Sequence, residues 1–336
     1  CQYSCEAEDG LATDWHHVHL GSRAVGGAGL VITEATAVEP RGVISPKDLG
    51  IWSDEHGDAL ADTAEFITRN GATAGIQLAH AGRKALTLGQ SYEGESVHQP
   101  EDWTPIGPTE TPYPSDNPLE VEALDREGIE EVKASFRTAA ERALAAGFDV
   151  VEIHGAHGYL LHEFYSPITN TRDDEYGGDF EGRTRLVREV TREVREVWPD
   201  EKPVLVRLSA TDWMGEDGWT VEDTARLTPL LADAGADLLD ISAGGIHPDQ
   251  EVPTTGPHYQ VPLAERVTEA LAGRDCVVGA VGGITTPEGA EEVVRNGHAD
   301  AVLLGREHLR DPYFALHAAK ALNETPPTPR QYKRVF

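Results

Sequence analysis

The chain has 336 residues, 58 of them acidic and 28 basic, which gives a formal net charge of −30 at pH 7. Nucleic acid and anionic membranes are poor partners for such a charge, and no apolar stretch reaches the roughly 20 residues that span a bilayer. The three cysteines include no CxxC pair, so the composition favours a reducing, cytoplasmic location, and the spread of acidic residues indicates a salt-rich cytoplasm.

Short runs rich in valine, isoleucine and leucine recur along the chain. Each is followed by a polar or glycine turn and then by an amphipathic segment, which is the pattern of βα units on a parallel sheet. The seven runs cover residues 28–36, 73–80, 148–155, 202–210, 236–244, 276–283 and 299–306. We predict a parallel strand in each of them.

Segments with helical periodicity precede and separate these runs. The predicted helices cover residues 13–27, 55–71, 125–147, 182–198, 220–235, 259–273 and 286–297. Several of them end at a glycine, a residue suited to the left-handed cap that closes many helices. The alternation of strand and helix therefore continues along almost the whole chain.

A closed parallel barrel with a filled interior has eight strands. Since the helix at 13–27 follows almost at once, we expect the first strand to lie upstream of Cys1, outside the sequence shown. The predicted fold is an α/β TIM (β/α)8 barrel in a single domain spanning 1–336. The irregular segment 85–124, after the third strand of that barrel, is expected to cap its carboxyl-terminal face, and 325–336 forms a tail.

Glycines close the last three predicted strands, and Arg306 follows the final one. Barrels of this kind bind phosphate at that place through backbone N–H groups. Glycine alone is a weak signal, because tight turns also need it. The arginine makes phosphate binding the preferred interpretation.

His154 and His157 lie at the end of the run 148–155, and Tyr159 follows two residues later. One interpretation is a metal site, but Glu152 is expected on the other face of the strand and Glu163 further into a helix. A structural role suits one histidine better than two. The third interpretation is a pair of imidazole donors that hold a carbonyl oxygen, with the tyrosine hydroxyl as a proton source.

Arg207 lies among apolar residues in "VLVRLSA" and is expected to face the barrel mouth. A buried arginine needs an anionic partner. A carboxylate of the barrel is one candidate partner, and a cofactor that becomes anionic during turnover is the other.

His16, His17 and His19 form a second histidine group, on the helix predicted at 13–27. No carboxylate completes a metal site at helical spacing, so structural roles are expected for all three. Cys276 begins a buried strand, where free cysteine behaves as a small hydrophobic residue.

Seven stretches together resemble the old yellow enzymes, flavin-dependent ene-reductases, and within them the bacterial thermophilic-like branch. The longest, "AAGFDVVEIHGAHGYLLHEFYSPITNTRDDEYGG", is the most specific, and the resemblance covers essentially the whole chain. The other stretches are "TDWHHVHLGSRAVGGAGLVITEAT", "DLGIWSDEH", "GIQLAHAGRKA", "VLVRLSATDW", "GAVGGIT" and "LLGREHLRDPYF". One departure is "YGGDFEGR", where relatives often read "YGGSxxNR".

The resemblance implies FMN as the cofactor and assigns residues to it. Ala35, Gln77 and Arg207 match positions that hold the isoalloxazine ring, and Cys1 matches the thiol beside it that tunes its redox potential. The positions that match the phosphate cradle are Gly282, Gly305 and Arg306.

The resemblance also implies a reaction in two halves. NADPH or NADH delivers hydride to flavin N5, and the hydride then passes to the β-carbon of an α,β-unsaturated carbonyl compound, an enone or enal. His154 and His157 match the pair that holds the substrate oxygen, Tyr159 matches the proton donor, and Tyr3 matches a tyrosine at the substrate carbonyl.

The tail "PRQYKRVF" resembles one in which an arginine reaches into the site of a neighbouring subunit, and Arg334 fills that position. This implies a homodimer or homotetramer, whereas a frayed basic end is the plainer interpretation. Two other functions stay open at this point. One is a flavin-based redox sensor that works through Cys1, and the other is a phosphate-binding barrel lyase or isomerase without flavin.

Overall fold

The computed structural model describes residues 7–86, 103–116 and 118–334. Within these ranges the strands, in chain order, are β1 (Leu30–Ala37), β2 (Thr73–Ala79), β3 (Ile106–Gly107), β4 (Glu122–Ala123), β5 (Val150–Gly155), β6 (Val204–Ser209), β7 (Leu238–Ser242), β8 (Val277–Val281) and β9 (Ala301–Leu303). All of them except β3 and β4 form one parallel sheet of seven strands in the described chain, in the order β1-β2-β5-β6-β7-β8-β9. The seven predicted strands are confirmed.

Helices connect the strands and cover the outside of the sheet. They are α1 (Asp14–Val25), α2 (Asp54–Arg69), α3 (Arg126–Ala145), α4 (Leu160–Tyr165), α5 (Phe180–Arg183), α6 (Arg185–Val197), α7 (Val221–Asp233), α8 (Val261–Ala270), α9 (Pro287–Arg295), α10 (Arg306–Arg310) and α11 (Phe314–Ala321). Short 3-10 helices lie at Pro40–Gly42, Gly82–Lys84, Gly215–Asp217 and Arg330–Tyr332. The short helices α4, α5, α10 and α11 are additions to the seven predicted ones.

Local sequence explains where the main helices begin and end. The Asp125 side chain accepts a hydrogen bond from the Gly128 N–H at the start of α3 (2.8 Å), and Thr220 and Asp223 form a reciprocal capping box on α7. Gly147 and Gly235, just beyond α3 and α7, have φ of +92° and +104°. The predicted glycine caps are therefore present at both helices.

The strands place alternate side chains inside and outside the barrel, and this alternation produces two different environments. The outer side chains pack against the helices in one large hydrophobic cluster, to which Val151, Val206 and Phe136 belong. On the inside, Gln77, Glu152 and Asp240 are almost completely buried. The interior of the barrel is therefore polar below its mouth.

Described residues of the segment 85–124 pack against residues at the carboxyl ends of the strands, and the role of the whole segment as a cap stays a prediction. Ile106 on β3 is fully buried, and Trp103 packs on a small cluster that contains Ala35, Ala81 and Tyr159. Residues 87–102 lie outside the described residues. The fold is the predicted TIM-type α/β barrel. The strand expected upstream of Cys1 and the single domain over 1–336 stay predictions.

Candidate active site

A cavity of about 670 Å³ opens at the carboxyl ends of the strands. The residues predicted from the sequence that line it are Ala35, His154, His157, Tyr159, Arg207, Gly282, Gly305 and Arg306. They come from β1, β5, β6, β8 and β9 and from the turns that follow these strands. Parallel strands end at the same edge of a sheet, so residues far apart in sequence meet there.

His154 and His157 lie side by side on the wall of this cavity. Their rings are nearly perpendicular, at 81°, with centroids 5.1 Å apart. The Ala156 N–H donates to His154 Nδ1 (3.3 Å), so the neutral ring carries its proton on Nε2, which lies 3.4 Å from His157 Nδ1. The other nitrogen of His157, Nε2, lies 2.8 Å from Ser242 Oγ. One set of tautomers therefore satisfies the whole row, with each imidazole donating through its Nε2.

Both imidazoles are neutral near pH 7. Burial, followed by the positive charge of Arg207, lowers the pKa of His154 and of His157 well below the usual value. A neutral imidazole still offers one N–H donor. The pair thus provides hydrogen-bond donors without carrying charge.

The turn that carries His157 and Tyr159 is held by unusual contacts. His157 has φ of +60°, its N–H donates to Ser209 Oγ (2.9 Å), and its carbonyl accepts from Lys84 Nζ (2.8 Å). The same ammonium donates to the Gly245 carbonyl (3.0 Å) and lies 4.9 Å from the centre of the Tyr159 ring. Lys84 therefore links two loops of the site while placing a cation beside the tyrosine.

Arg207 reaches the cavity from β6, and its nearest carboxylate belongs to the barrel. Arg207 Nε lies 3.0 Å from Asp240 Oδ2. The first candidate partner, a barrel carboxylate, is thus present. A ligand in the cavity would meet the same guanidinium, because Arg207 lines it.

Glu152 lies on the inner side of β5, and the prediction that it faces away from the histidines was wrong. Residues two apart share a face of a strand, so Glu152 and His154 both point into the barrel. Both interact electrostatically with Arg207. Glu152 also accepts a hydrogen bond from Gln77 Nε2 (2.5 Å).

Gln77 is buried on β2 but does not line the cavity. It pairs in register with Ala35 on β1, which does, and its Oε1 has no hydrogen-bond partner among the described residues. Of the other predicted site residues, Cys1 and Tyr3 lie outside the described residues. Arg334 is exposed at the end of the described chain, away from the cavity wall.

The rim on the β8 and β9 side combines glycine backbone with basic side chains. Gly282 and Gly283 have φ of +114° and +71°, and a Cβ on Gly283 would come within 2.7 Å of the Gly256 carbonyl. Arg306 and Arg310 line the same end of the cavity. Two arginines beside exposed backbone amides make this end suited to an anion.

The helix α1 histidines have structural partners, as expected. His16 Nδ1 accepts from the Thr13 N–H (2.9 Å), His17 Nδ1 lies 3.2 Å from the hydroxyl of Thr63, and His19 stacks on Trp15. Cys276 is buried at the start of β8, and burial raises the pKa of its thiol to about 12. Neither group contributes to the cavity.

Sequence reasoning missed several residues of the site. Ser242 contacts His157, and Gln260 contacts Ser242, with Gln260 Nε2 3.2 Å from Ser242 Oγ. Ser242 ends β7 on the inner face, so strand alternation could have identified it. Gln260 directly precedes α8, within the helix predicted over 259–273, and the helical period does not indicate that its side chain contacts β7.

Comparisons with known proteins agree on one family. The sequence profile of the NADH:flavin oxidoreductase / NADH oxidase family matches residues 1–325. A protein of Listeria monocytogenes serotype 4b (strain CLIP80459), named NADPH dehydrogenase, is 45% identical over 336 residues, which are 100% of this chain and 93% of that protein. The NADPH dehydrogenase of Bacillus subtilis (strain 168) is 44% identical over 335 residues, covering 99% and 92%.

Solved structures show the same relationship. The old yellow enzyme homologue from Zymomonas mobilis superposes with a TM-score of 0.75 at 26% identity, covering 96% of this chain and 87% of that one. A variant of morphinone reductase in complex with tetrahydroNAD gives a TM-score of 0.75 at 25% identity, covering 97% and 86%.

Proposed function

The chain belongs to the NADH:flavin oxidoreductase / NADH oxidase family, and from this premise we propose that it reduces the activated C=C bond of α,β-unsaturated carbonyl compounds with NADPH or NADH as the hydride donor. It is an FMN-dependent oxidoreductase of the old yellow enzyme type. The nicotinamide donor is supported by the relatives named NADPH dehydrogenase. The observation that carries the proposed substrate class is the neutral histidine pair beside Tyr159 in one cavity.

The residues present fit FMN. The two-arginine rim with its glycine backbone suits the phosphate, and Gly282, Gly305 and Arg306 would hold it there. At the inner end, Arg207 lines the cavity, and the buried carboxamide oxygen of Gln77 has no donor among the described residues. Ala35, Gln77 and Arg207 would hold the ring. FMN, when bound, supplies the relay of hydride from the nicotinamide to the substrate.

His154 and His157 would bind the carbonyl oxygen of the substrate. His154 Nε2 lies 3.4 Å from His157 Nδ1, which is long for a hydrogen bond. His154 therefore gives up only a weak hydrogen bond when its Nε2–H donates to a substrate oxygen instead. Negative charge develops on that oxygen as the C=C bond is reduced, and one well-placed donor is typically worth about 3 kcal/mol in the transition state. Neutral donors need no proton from solvent to do this.

Tyr159 would hold the proton that the α-carbon receives. Its ring is nearly perpendicular to that of His154, at 80° and 5.1 Å, so its hydroxyl belongs to the same wall. The Lys84 ammonium near the Tyr159 ring favours the charge that remains on the oxygen after the proton leaves. Trp103 packs on the cluster that contains Tyr159.

Membership of a flavin family removes the flavin-free lyase or isomerase. The redox sensor differs from our proposal only in its turnover. Its proposed thiol, Cys1, lies outside the described residues. The two functions are therefore separated by experiment.

The test follows the visible flavin absorbance of the full-length holoenzyme in molar salt without oxygen. We expect NADPH to bleach it and cyclohexenone to restore it, with product formed in equal amount. Bleaching that the enone does not reverse would favour the sensor and overturn the proposal.

Variants connect this cycle to the site. His154→Ala is expected to retain FMN and its reduction by NADPH. The variant should bind a phenol, used as a probe whose oxygen would take the place of the substrate oxygen, about 100-fold more weakly or worse. This is the loss expected for one hydrogen-bond donor at about 3 kcal/mol. His298→Ala is the matched control, because His298 is a half-buried histidine between α9 and β9 that does not line the cavity. Equal phenol affinity in both variants would contradict the assignment of the histidine pair.

A further inference from the structure

A layer of polar and charged side chains lies inside the barrel below the cavity. In it, Gln77 on β2 is aligned with Glu152 on β5 and donates to it, and Arg207 on β6 is aligned with Asp240 on β7 and contacts it. The two carboxylates are 1% and 0% exposed, and the arginine side chain is 11% exposed. Among the described residues, the guanidinium of Arg207 therefore balances two buried carboxylates.

The hydrogen bonds in this layer do not satisfy two carboxylate anions. Arg207 Nε is 3.0 Å from Asp240 Oδ2, but its N–H does not point at that oxygen, so the contact is electrostatic. Neither oxygen of Asp240 has a hydrogen-bond partner among the described residues, and the same holds for Glu152 Oε1. An anion buried with so few donors is costly, and protonation of one carboxyl removes that cost.

The electrostatics act in the same direction. Burial, and after it the charge of Asp240, raises the pKa of Glu152 to about 7 against the attraction of Arg207. Burial also raises the pKa of Asp240, again opposed by Arg207. Among the described residues, Arg207 and Asp240 are the charged groups that act on Glu152, Gln77 is neutral, and His154, two residues further along β5, is aligned with Arg207. Because the charge of Asp240 acts on Glu152, the protons on these carboxyls belong to the pair.

Arg207 is also the link between this layer and the cavity, because it is the member of the layer that lines it. When an anion occupies the cavity beside Arg207, the guanidinium is shared among three negative groups. The response that costs the least free energy is protonation of Glu152, the carboxyl that Arg207 stabilises less.

We propose that Glu152 and Asp240 are a proton store for the cavity: the pair holds one proton when an anion lies beside Arg207 and gives that proton to solvent when the anion leaves. No covalent bond other than the O–H bond forms or breaks, and water or buffer supplies and accepts the proton. Glu152 and Asp240 are positioning residues in this role, since they act on the ligand through Arg207.

Thermodynamic linkage gives the measurable consequence. If binding of the anion takes up one proton, its affinity falls about tenfold per pH unit over the range in which the free pair has lost that proton. An enzyme without the store shows no such slope.

The experiment titrates the holoenzyme with 4-nitrophenolate, well above the pKa of the free phenol, in buffers of different ionisation enthalpy. The choice of this probe rests on the proposed function. We expect the calorimetric heat to vary with the buffer and to report uptake of close to one proton in the wild type. Glu152→Gln, which keeps the shape and the partner Gln77, is expected to bind the phenolate with almost no uptake and with a flat pH profile.

Glu163→Gln is the matched control, because Glu163 is also fully buried and its pKa is raised by burial to about 8. It lies beside Arg83, away from the Arg207 layer, and we expect its variant to retain the uptake. Uptake that persists in Glu152→Gln, or that disappears in Glu163→Gln, would overturn the proposal. Asp240→Asn provides a second variant should Glu152→Gln fail to fold.

An infrared titration of the ligand-free holoenzyme makes the test independent of the probe. A buried carboxylic acid has a carbonyl band that a carboxylate lacks. We expect one such band to disappear as pH rises through about 7 and to be missing in Glu152→Gln, while a second band, from Glu163, persists to about pH 8 and is missing in Glu163→Gln. If 4-nitrophenolate fails to bind, the proposed substrate site is wrong. The infrared band of Glu152 still decides whether the proton store exists, and absence of that band from the wild type refutes the store.

Discussion

Glu163 on α4 is a buried carboxyl whose surroundings leave it only partly satisfied. Its Oε1 accepts a hydrogen bond from the Arg83 N–H (3.0 Å), while Oε2 has no partner in the described chain. Burial raises the pKa of Glu163 to about 8, against the attraction of Arg83 and Lys84. The folded state therefore binds a proton that the unfolded state has already lost at pH 6 to 7.

This produces a pH dependence of stability with a definite sign. Because the pKa of Glu163 is higher in the folded state, its contribution is complete below the usual pKa of about 4.5 and is lost as pH rises towards about 8. We expect the free energy of unfolding to fall by up to about 1.4 kcal/mol per pH unit in that window from this residue alone. Urea unfolding of the wild type and of Glu163→Gln from pH 5 to 8 tests it, and the variant should show a shallower decline.

Exposed Glu65→Gln on α2 is the control for that series. Its slope should equal that of the wild type, since an exposed carboxyl contributes little. An unchanged slope in Glu163→Gln would show that the protein relieves this buried charge in some other way.

At the scale of elements, the turn after β5 and the loop after β7 pass each other with no space for a side chain. A Cβ on Gly158 would lie 2.1 Å from the Gly245 carbonyl oxygen, and one on Gly245 would lie 2.5 Å from the His157 backbone. Lys84 donates to a carbonyl of each loop at this crossing. The crossing therefore sets where the His157 ring stands.

Gly158→Ala should be costly for two reasons that a control separates. At φ of +74°, alanine adds about 1 kcal/mol of backbone strain, and the clash with Gly245 adds to it. Gly178→Ala has the same strain, at φ of +72°, but open space around the new methyl group. We expect a larger loss of unfolding free energy and a fall in kcat/KM for Gly158→Ala only. Equal losses in the two variants would mean that the crossing tolerates the methyl group.

For the whole molecule, the net charge of −30 dominates the long-range electrostatics. Self-repulsion of this size destabilises the compact state unless salt screens it, and the screening length falls from about 30 Å at 0.01 M to about 3 Å at 1 M. We expect a higher melting temperature in molar than in millimolar KCl. Sucrose at matched osmotic strength is the control. Equal melting temperatures at the two KCl concentrations would contradict adaptation to high salt.

Arg334 connects the tail of the chain to the oligomeric state that we propose. It is exposed in the single chain, next to exposed Lys333. If Arg334 reaches a neighbouring site in a homodimer or homotetramer, Arg334→Ala weakens phenol binding without loss of FMN, while Lys333→Ala does not. Sedimentation velocity measures the oligomer in the same samples. A monomer, or equal phenol affinity in both variants, would leave the tail as a solvated end.

In residues 7–86, 103–116 and 118–334, no helix combines the length and the apolar composition that a membrane span requires.

The order of strands and helices could be predicted from the sequence, because apolar periodicity and glycine caps are local properties of the chain. The sequence also identified His154, His157, Tyr159 and Arg306 as members of one site, since motifs at strand ends converge in a parallel barrel. Only the tertiary structure decided which side chains from different strands touch. The alignment of Gln77 with Glu152, that of Arg207 with Asp240, and the contact of His157 with Ser242 all depend on how neighbouring strands are aligned. Strand register is set by packing of the whole barrel, and no local sequence signal carries it.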